Sequence, residues 1–328
     1  MKVLLVNVDS RWNMAIRKMY SYYLAGGHEV EMIDLRFSGY PHKKTKTIDA
    51  ARYDVVRVSN IFDVNTDRVT VIGCDDVQFG GIGSRNPHLQ LPPEIERTEP
   101  YYFQDEDTSY GFITRGCIRK CWFCKVPKYE GALQAYNSVE SIVKHKKVKF
   151  LDNNILAYPH HMEVFRWLLD NPDIKVEFNQ GLDFRLVNNE NLDALSRLNY
   201  MGEYIFAFDD PKYQALLERK LRLIKQYIPN PWKIKFYIYI HPSMSIGQMI
   251  ERAEWCRKHE CLPYIMRDVA CWDSEYKGFY ADYAAYCNQP GFFKALTFEE
   301  FMRKRQKTEA NKARNIEIYN QNAPDLSR

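Results

Sequence analysis

No stretch of this sequence approaches the roughly 18 consecutive apolar residues of a membrane-spanning helix, so no membrane partner is expected. The opening apolar stretch, residues 3–8, is too short for a secretory signal. Cysteine is scarce, 8 in 328 residues, far below the density of disulfide-stapled secreted domains. These absences lead to the expectation of a cytoplasmic chain, whose thiols stay reduced and able to take a metal. Glycine and proline number only 15 each, which excludes collagen-like and low-complexity sequence. Charge of one sign is not in excess. The 46 Lys and Arg against 42 Asp and Glu leave +4, which permits a polyanionic partner such as nucleic acid without requiring one. At 45% hydrophobic residues the chain can bury a sizeable core, as one large domain or two smaller ones.

What is present is concentrated in one place. Cys117, Cys121 and Cys124 form a Cys-x3-Cys-x2-Cys run after an apolar segment, residues 110–113, and a turn signal, Thr114-Arg115-Gly116. Thiolates so close in sequence can converge on one metal centre. Three of them leave one iron of a [4Fe-4S] cluster without a protein ligand, and an open position is where chemistry occurs, as at a catalytic zinc. Two blander readings compete. Spacings of four and three would also line one helix face, where thiols pack as small hydrophobes, but Gly116, Arg119, Lys120 and Lys125 suit an exposed loop better. A structural zinc site needs a fourth ligand, and the next histidine is His145. The zinc reading carries its own function: a non-catalytic, zinc-stabilised module contacting nucleic acid through the basic tail. That tail includes Arg303, Lys304, Arg305, Lys307, Lys312 and Arg314, for which a solvated basic helix is the simpler account.

Downstream of the cysteines, strand-like runs alternate with helical patterns. The strand-like runs are residues 147–151, 176–179, 204–208, 234–240 and 262–266, and with 110–113 they make six β/α units. Polar residues gather where the strands end: Asp152-Asn153-Asn154, then Asn179-Gln180 through Asp183 and Arg185, then Asp209-Asp210. In parallel α/β barrels that edge is the catalytic face. The first hundred residues read as a smaller Rossmann-like α/β unit: a buried strand over 3–8, a helix ending at Gly26-Gly27, and strands over 28–35, 53–58 and 69–73. Phe79-Gly80-Gly81-Ile82-Gly83 follows as a tight turn rather than a phosphate cradle. The expected domains are therefore 1–100, 101–295 and a basic helical tail, 296–328. The later cysteines, Cys256, Cys261, Cys271 and Cys287, fit no compact ligand spacing and are expected to be buried thiols.

The cysteine run, with Phe123 just before its last member, resembles the signature of the radical S-adenosylmethionine (SAM) enzymes. The resemblance implies a partial (β/α)6 TIM-like barrel, and a [4Fe-4S] cluster on Cys117, Cys121 and Cys124 whose fourth iron is chelated by SAM. It also implies an external flavodoxin- or ferredoxin-like electron donor and reductive cleavage of SAM to a 5'-deoxyadenosyl radical that takes hydrogen from substrate. By the same resemblance Asp152, Asn153 and Asn154 occupy the place of a Gly-Gly-Glu-like motif that holds the SAM amino group, and Asp209 meets the ribose. The last strand, with Tyr264, offers backbone groups to adenine, while Gln180, Asp183 and Arg185 bind the SAM carboxylate or the substrate. Residues 1–100 resemble, more weakly, the N-terminal half of cobalamin-dependent members. Their Asp-x-His-x-x-Gly motif is absent, since His28 has no Asp two places before it, so cobalamin is not expected. The signature describes how a radical is made, not what it attacks. The polar strand ends lead to the expectation of a polar substrate, such as a nucleotide, an RNA base or a peptide.

Overall fold

The apolar run at the start of the chain forms β1 (Lys2–Val8), buried at every residue after its first, as a strand covered on both faces must be. The structure, a computed structural model, describes residues 1–37 and 44–323. Its chain divides into two units, one of Met1–Gly111 with Cys121–Gly131 and the other of Phe112–Lys120 with Ala132–Arg328. The fold is mixed α/β with parallel sheets.

In the first unit β1 leads into α1 (Met14–Ala25), whose N-cap Asn13 accepts from the Ile16 amide. The helix stops at Gly26-Gly27, where Gly27 has φ +73° as helix termination by glycine requires. β2 (Glu29–Leu35), β3 (Lys46–Asp49), β4 (Val55–Asn60), β5 (Val69–Ile72) and β6 (Val77–Gly80) follow. The main sheet has the order β2-β1-β4-β6 and is parallel throughout. Alternate residues of β1 feed separate cores: Val3 and Leu5 pack with Ile16 and Met19 of α1, while Leu4, Val6 and Val8 pack with Val56 and Val58 of β4. β5 pairs with β3 in a ribbon of its own. The expected turn over 79–83 is corrected in part: Phe79 and Gly80 end a strand, β6, and the turn itself begins at Gly81. That glycine has φ +90°, and a Cβ there would stand 2.3 Å from the Asn60 carbonyl oxygen. Close backbone approach therefore accounts for it. The unit continues through α2 (Pro93–Glu96) and β7 (Thr108–Gly111) and includes α3 (Val126–Tyr129), which follows the cysteines.

The second unit begins with a short antiparallel pair, β8 (Thr114–Arg115) and β9 (Gln134–Ala135), then α4 (Val139–Ile142). Strands and helices now alternate: β10 (Lys147–Phe150), α5 (His161–Asp170), β11 (Lys175–Phe178), α6 (Asn189–Arg197), β12 (Tyr204–Ala207), α7 (Gln214–Tyr227), β13 (Ile234–Ile240), α8 (Ile246–Lys258), β14 (Leu262–Arg267) and α9 (Lys277–Cys287). β10 and β11 are parallel neighbours, and so are β12, β13 and β14. Isolated bridges, Val176 to Tyr200 and Leu182 to Phe206, link the two groups. Side chains on one strand face, including Val148, Phe150, Val176, Phe178, Phe206 and Phe236, join the helices in one core. β10 to β14 therefore run in the same direction, and their C-terminal ends lie on the same side.

The chain closes with α10 (Pro290–Ala295), α11 (Phe298–Lys304) and α12 (Glu309–Asn322); residues 324–328 of the expected tail lie outside the described ones. The tail is helical, with Arg303, Lys304 and Arg314 exposed, but part of its basic charge is paired. Asp282 of α9 is fully buried and accepts from Lys307 Nζ (2.7 Å), Asn315 Nδ2 (2.8 Å) and Arg305 Nη2 (3.4 Å). Arg303 pairs with Glu299 and Lys312 with Glu309. Much of the basic charge is thus spent within the unit.

Candidate functional site

The strand ends of the second unit carry the polar residues singled out from sequence, and several of them meet. Asp152, just after β10, is buried. Its carboxylate accepts from the Thr114 amide (2.6 Å) and hydroxyl (2.7 Å) and from the Ile113 amide (3.2 Å). Asn153 Nδ2 donates to the Gly116 carbonyl at 3.4 Å. These two residues fix the backbone immediately before Cys117. Gly116 itself has φ +77°, a conformation that favours glycine.

After β11, Asp183 is a hub. It accepts from Arg185 Nε (2.6 Å), Nη2 (3.0 Å) and amide (3.1 Å), from Arg119 Nε (2.8 Å) and from Asn154 Nδ2 (3.4 Å). Burial raises its pKa, but the two guanidinium groups outweigh that and hold the carboxyl below the usual range. Arg185 also lies over the Tyr213 ring. Asn154 is 3% exposed, and its Oδ1 is buried with no hydrogen-bond partner. Such an acceptor is costly to leave unmatched and marks a place where a donor is missing. Gln180 is exposed on the same connection.

Asp209, after β12, accepts from the Tyr239 amide at 2.9 Å. Behind it lies Arg252 of α8, 1% exposed, a residue that sequence reasoning missed. Arg252 donates to the carbonyls of Phe208 (3.0 Å), Asp209 (3.0 Å), Tyr239 (3.3 Å) and Gln248 (3.1 Å). It straps the ends of β12 and β13 together. The signal for it was an arginine at helical spacing from Met249 and Cys256, in register with the core. Farther along the edge, the Tyr239 hydroxyl donates to Asp268 at 2.7 Å, and His241 stands 3.9 Å from the same carboxylate. Tyr264 is half-exposed beside the Tyr237 ring, whose hydroxyl donates to the Asn179 carbonyl.

Two of these carboxyls are set for protonation near neutrality. Burial pushes Asp152 up to about 6, against its hydrogen bonds from Thr114 and Ile113. Burial does the same to Asp209, up to about 6, against the Tyr239 amide and the charges of Arg252 and Arg185. Both values exceed the ordinary 3.8, so the folded chain binds these protons more tightly than the unfolded one. Their contribution to stability is complete at low pH and is lost as pH rises through about 6. Asparagine at 209 imitates the neutral acid. Asp209→Asn is therefore expected to gain on the wild type in urea unfolding as pH is raised from about 4.5 to 7. A difference that stays flat across that range refutes the raised titration.

Cys117 falls in the second unit, and Cys121 and Cys124 in the first. All three are partly exposed. Cys117 Sγ accepts from the Arg119 amide at 3.4 Å. The Cys124 amide bonds to the Cys121 carbonyl in a turn, and Lys125 pairs with Asp63 within the first unit. Among the described residues no group of three or more His, Cys, Asp or Glu side chains is gathered as a metal site. The later cysteines are core residues: Cys256, Cys261, Cys271 and Cys287 are each 0–1% exposed. Burial pushes the thiols up, to about 12 at Cys261 and about 11 at Cys271, which suits packing rather than ligation.

Fold and site together define an α/β protein with parallel sheets and a polar strand-end edge. No protein-family model matches the chain, and no curated protein matches it. Among the described residues no helix is long and apolar enough to cross a membrane.

Proposed function

We propose that this protein is a radical SAM enzyme that binds a [4Fe-4S] cluster through Cys117, Cys121 and Cys124. The observation that carries the reading is the Cys-x3-Cys-x2-Cys spacing followed by the β/α alternation. On this reading β10 to β14 are strands of a partial (β/α)6 barrel, with its active edge at their C-terminal ends. The donor chemistry suits the group: three partly exposed thiols of the kind iron–sulfur clusters take, which the cluster would draw together. SAM fits one feature in particular. The unpartnered Oδ1 of Asn154 is an acceptor suited to an ammonium, within the segment whose sequence position nominates it for the amino group. When bound, the reduced cluster supplies the electron that splits SAM into methionine and a hydrogen-abstracting 5'-deoxyadenosyl radical.

The chain's own residues then have separable roles. Asp152 and Asn153 are occupied in holding residues 113–116, so Asn154 is the member of that trio left to meet a ligand. Asp183 and Arg185 are spent on each other, which moves them from ligand contact to support. Asp209 and Tyr264 remain the candidates for ribose and adenine. The substrate is a polar molecule that can satisfy the strand-end groups, the electron donor is an external flavodoxin- or ferredoxin-like protein, and cobalamin is not part of the reaction.

Anaerobic reconstitution tests the proposal. About four irons per chain are expected, together with 5'-deoxyadenosine formation on adding SAM and dithionite. A well-loaded protein that forms none overturns the enzyme reading. One zinc per chain, without colour or SAM binding, would establish the zinc module instead.

A further inference from the structure

We propose that Asp183 is a positioning residue that latches the cysteine segment to the strand-end edge through Arg119. The cluster role of the latch rests on the reading above; the latch itself does not. Cys117 sits in irregular backbone, between Gly116 and Arg119. A ligand on such a segment is held in place only if neighbouring groups fix it. Before Cys117 the fixing is done by Asp152 and Asn153. After it, Arg119 carries the attachment, by donating Nε to Asp183 Oδ2 at 2.8 Å.

The geometry separates this contact from an ordinary surface pair. The Asp183 side chain is 4% exposed and that of Arg119 is 32% exposed. Exposed pairs contribute little, whereas a charge-assisted bond to a buried carboxylate is among the stronger polar contacts. Asp183 does not need Arg119 for neutrality, because Arg185 already faces it with two bonds. With five donors around it, the carboxylate has no lone pair to spare for a ligand. The second guanidinium is best explained by what it is attached to: a segment that must be held two residues from Cys117. Asn154 Nδ2 donates to the same Oδ2, so one oxygen sets both the cysteine segment and the side chain with the unmatched acceptor.

Trypsin reads the latch directly, in the metal-free protein, because it must seat the Arg119 side chain to cut after it. Cleavage between Arg119 and Lys120 is expected to be at least about tenfold faster in Asp183→Asn than in the wild type, with Asp183→Glu restoring part of the protection. Arg119→Lys leaves the Asp183–Arg185 pair intact and keeps a tryptic site, so it guards against a folding failure in the first variant. It is expected to be cut faster as well, since lysine has no side-on N–H to offer. Unchanged cutting at position 119 in both Asp183→Asn and Arg119→Lys overturns the latch, whatever the iron content. A second arm addresses the cluster: in reconstituted protein the electron paramagnetic resonance signal of the reduced cluster should shift in Asp183→Asn and return towards wild type in Asp183→Glu. Faster cleavage with an unaltered signal overturns the role of the latch in placing the cluster.

Discussion

Cys124→Ala protein, reconstituted without oxygen, should retain well under about half of the iron taken up by the wild type and form no detectable 5'-deoxyadenosine. The same is expected of Cys117→Ala and Cys121→Ala. The magnitude matters, because losing an outer-sphere partner of a metal site costs only about 10- to 100-fold in affinity or activity, and a lost ligand must exceed that. Cys261→Ala is the matched control. It also deletes a thiol, but one that is fully buried, and it should leave iron content unchanged while lowering stability modestly. Equal iron in all four variants would show that the cysteine run is not the ligand set. Loss in the Cys261 variant alone would place the metal in the core cysteines.

Arg252→Met should be among the most destabilising single changes in the second unit. The guanidinium is 1% exposed and its donors go entirely to carbonyls at the ends of β12 and β13 and in its own helix. Methionine fills much of the volume but donates nothing, so the Phe208, Asp209 and Tyr239 carbonyls lose this donor. Leaving a buried acceptor unsatisfied costs about 1–3 kcal/mol, and here three are affected. For a unit of this size that corresponds to a fall in melting temperature on the order of 10 °C. Arg252→Lys should fall between, since one ammonium cannot span the acceptors a planar fork reaches. A melting temperature within about a degree of wild type for the methionine variant would mean that the strap is redundant.

The β/α order of the second unit was legible because its strands announce themselves. Ile234–Ile240 alternates through Lys235 and Tyr237, and helices such as Asn189–Arg197 begin at an Asn cap and keep an apolar stripe. β3 and β6 were not legible. Lys-Thr-Ile-Asp and Val-Gln-Phe-Gly are too short to show a period, and each is a strand because β5 or β4 lies alongside it. The strand-end residues were visible as a polar cluster, but sequence cannot say which donors a carboxylate will face. Asp183, read from sequence as a candidate contact for SAM or the substrate, also binds two arginines of its own chain. Arg119, in plain view inside the cysteine run, was read only as loop charge. In the tail the pairing of two cations was likewise out of view: Asp282, which binds Arg305 and Lys307, lies 23 and 25 positions earlier.

That buried aspartate has a consequence for the order of events during synthesis. Its donors Lys307 and Asn315 follow it by 25 and 33 residues, so at translation speeds of about 5–20 residues per second they emerge roughly 1–7 s later. Until then the Asp282 carboxyl lacks the side-chain donors that meet it in the fold, and burying it unmatched is costly. The polar partners of α9 are therefore complete only once residue 315 has been added, so this part of the core is finished by the last segment of the unit to be made.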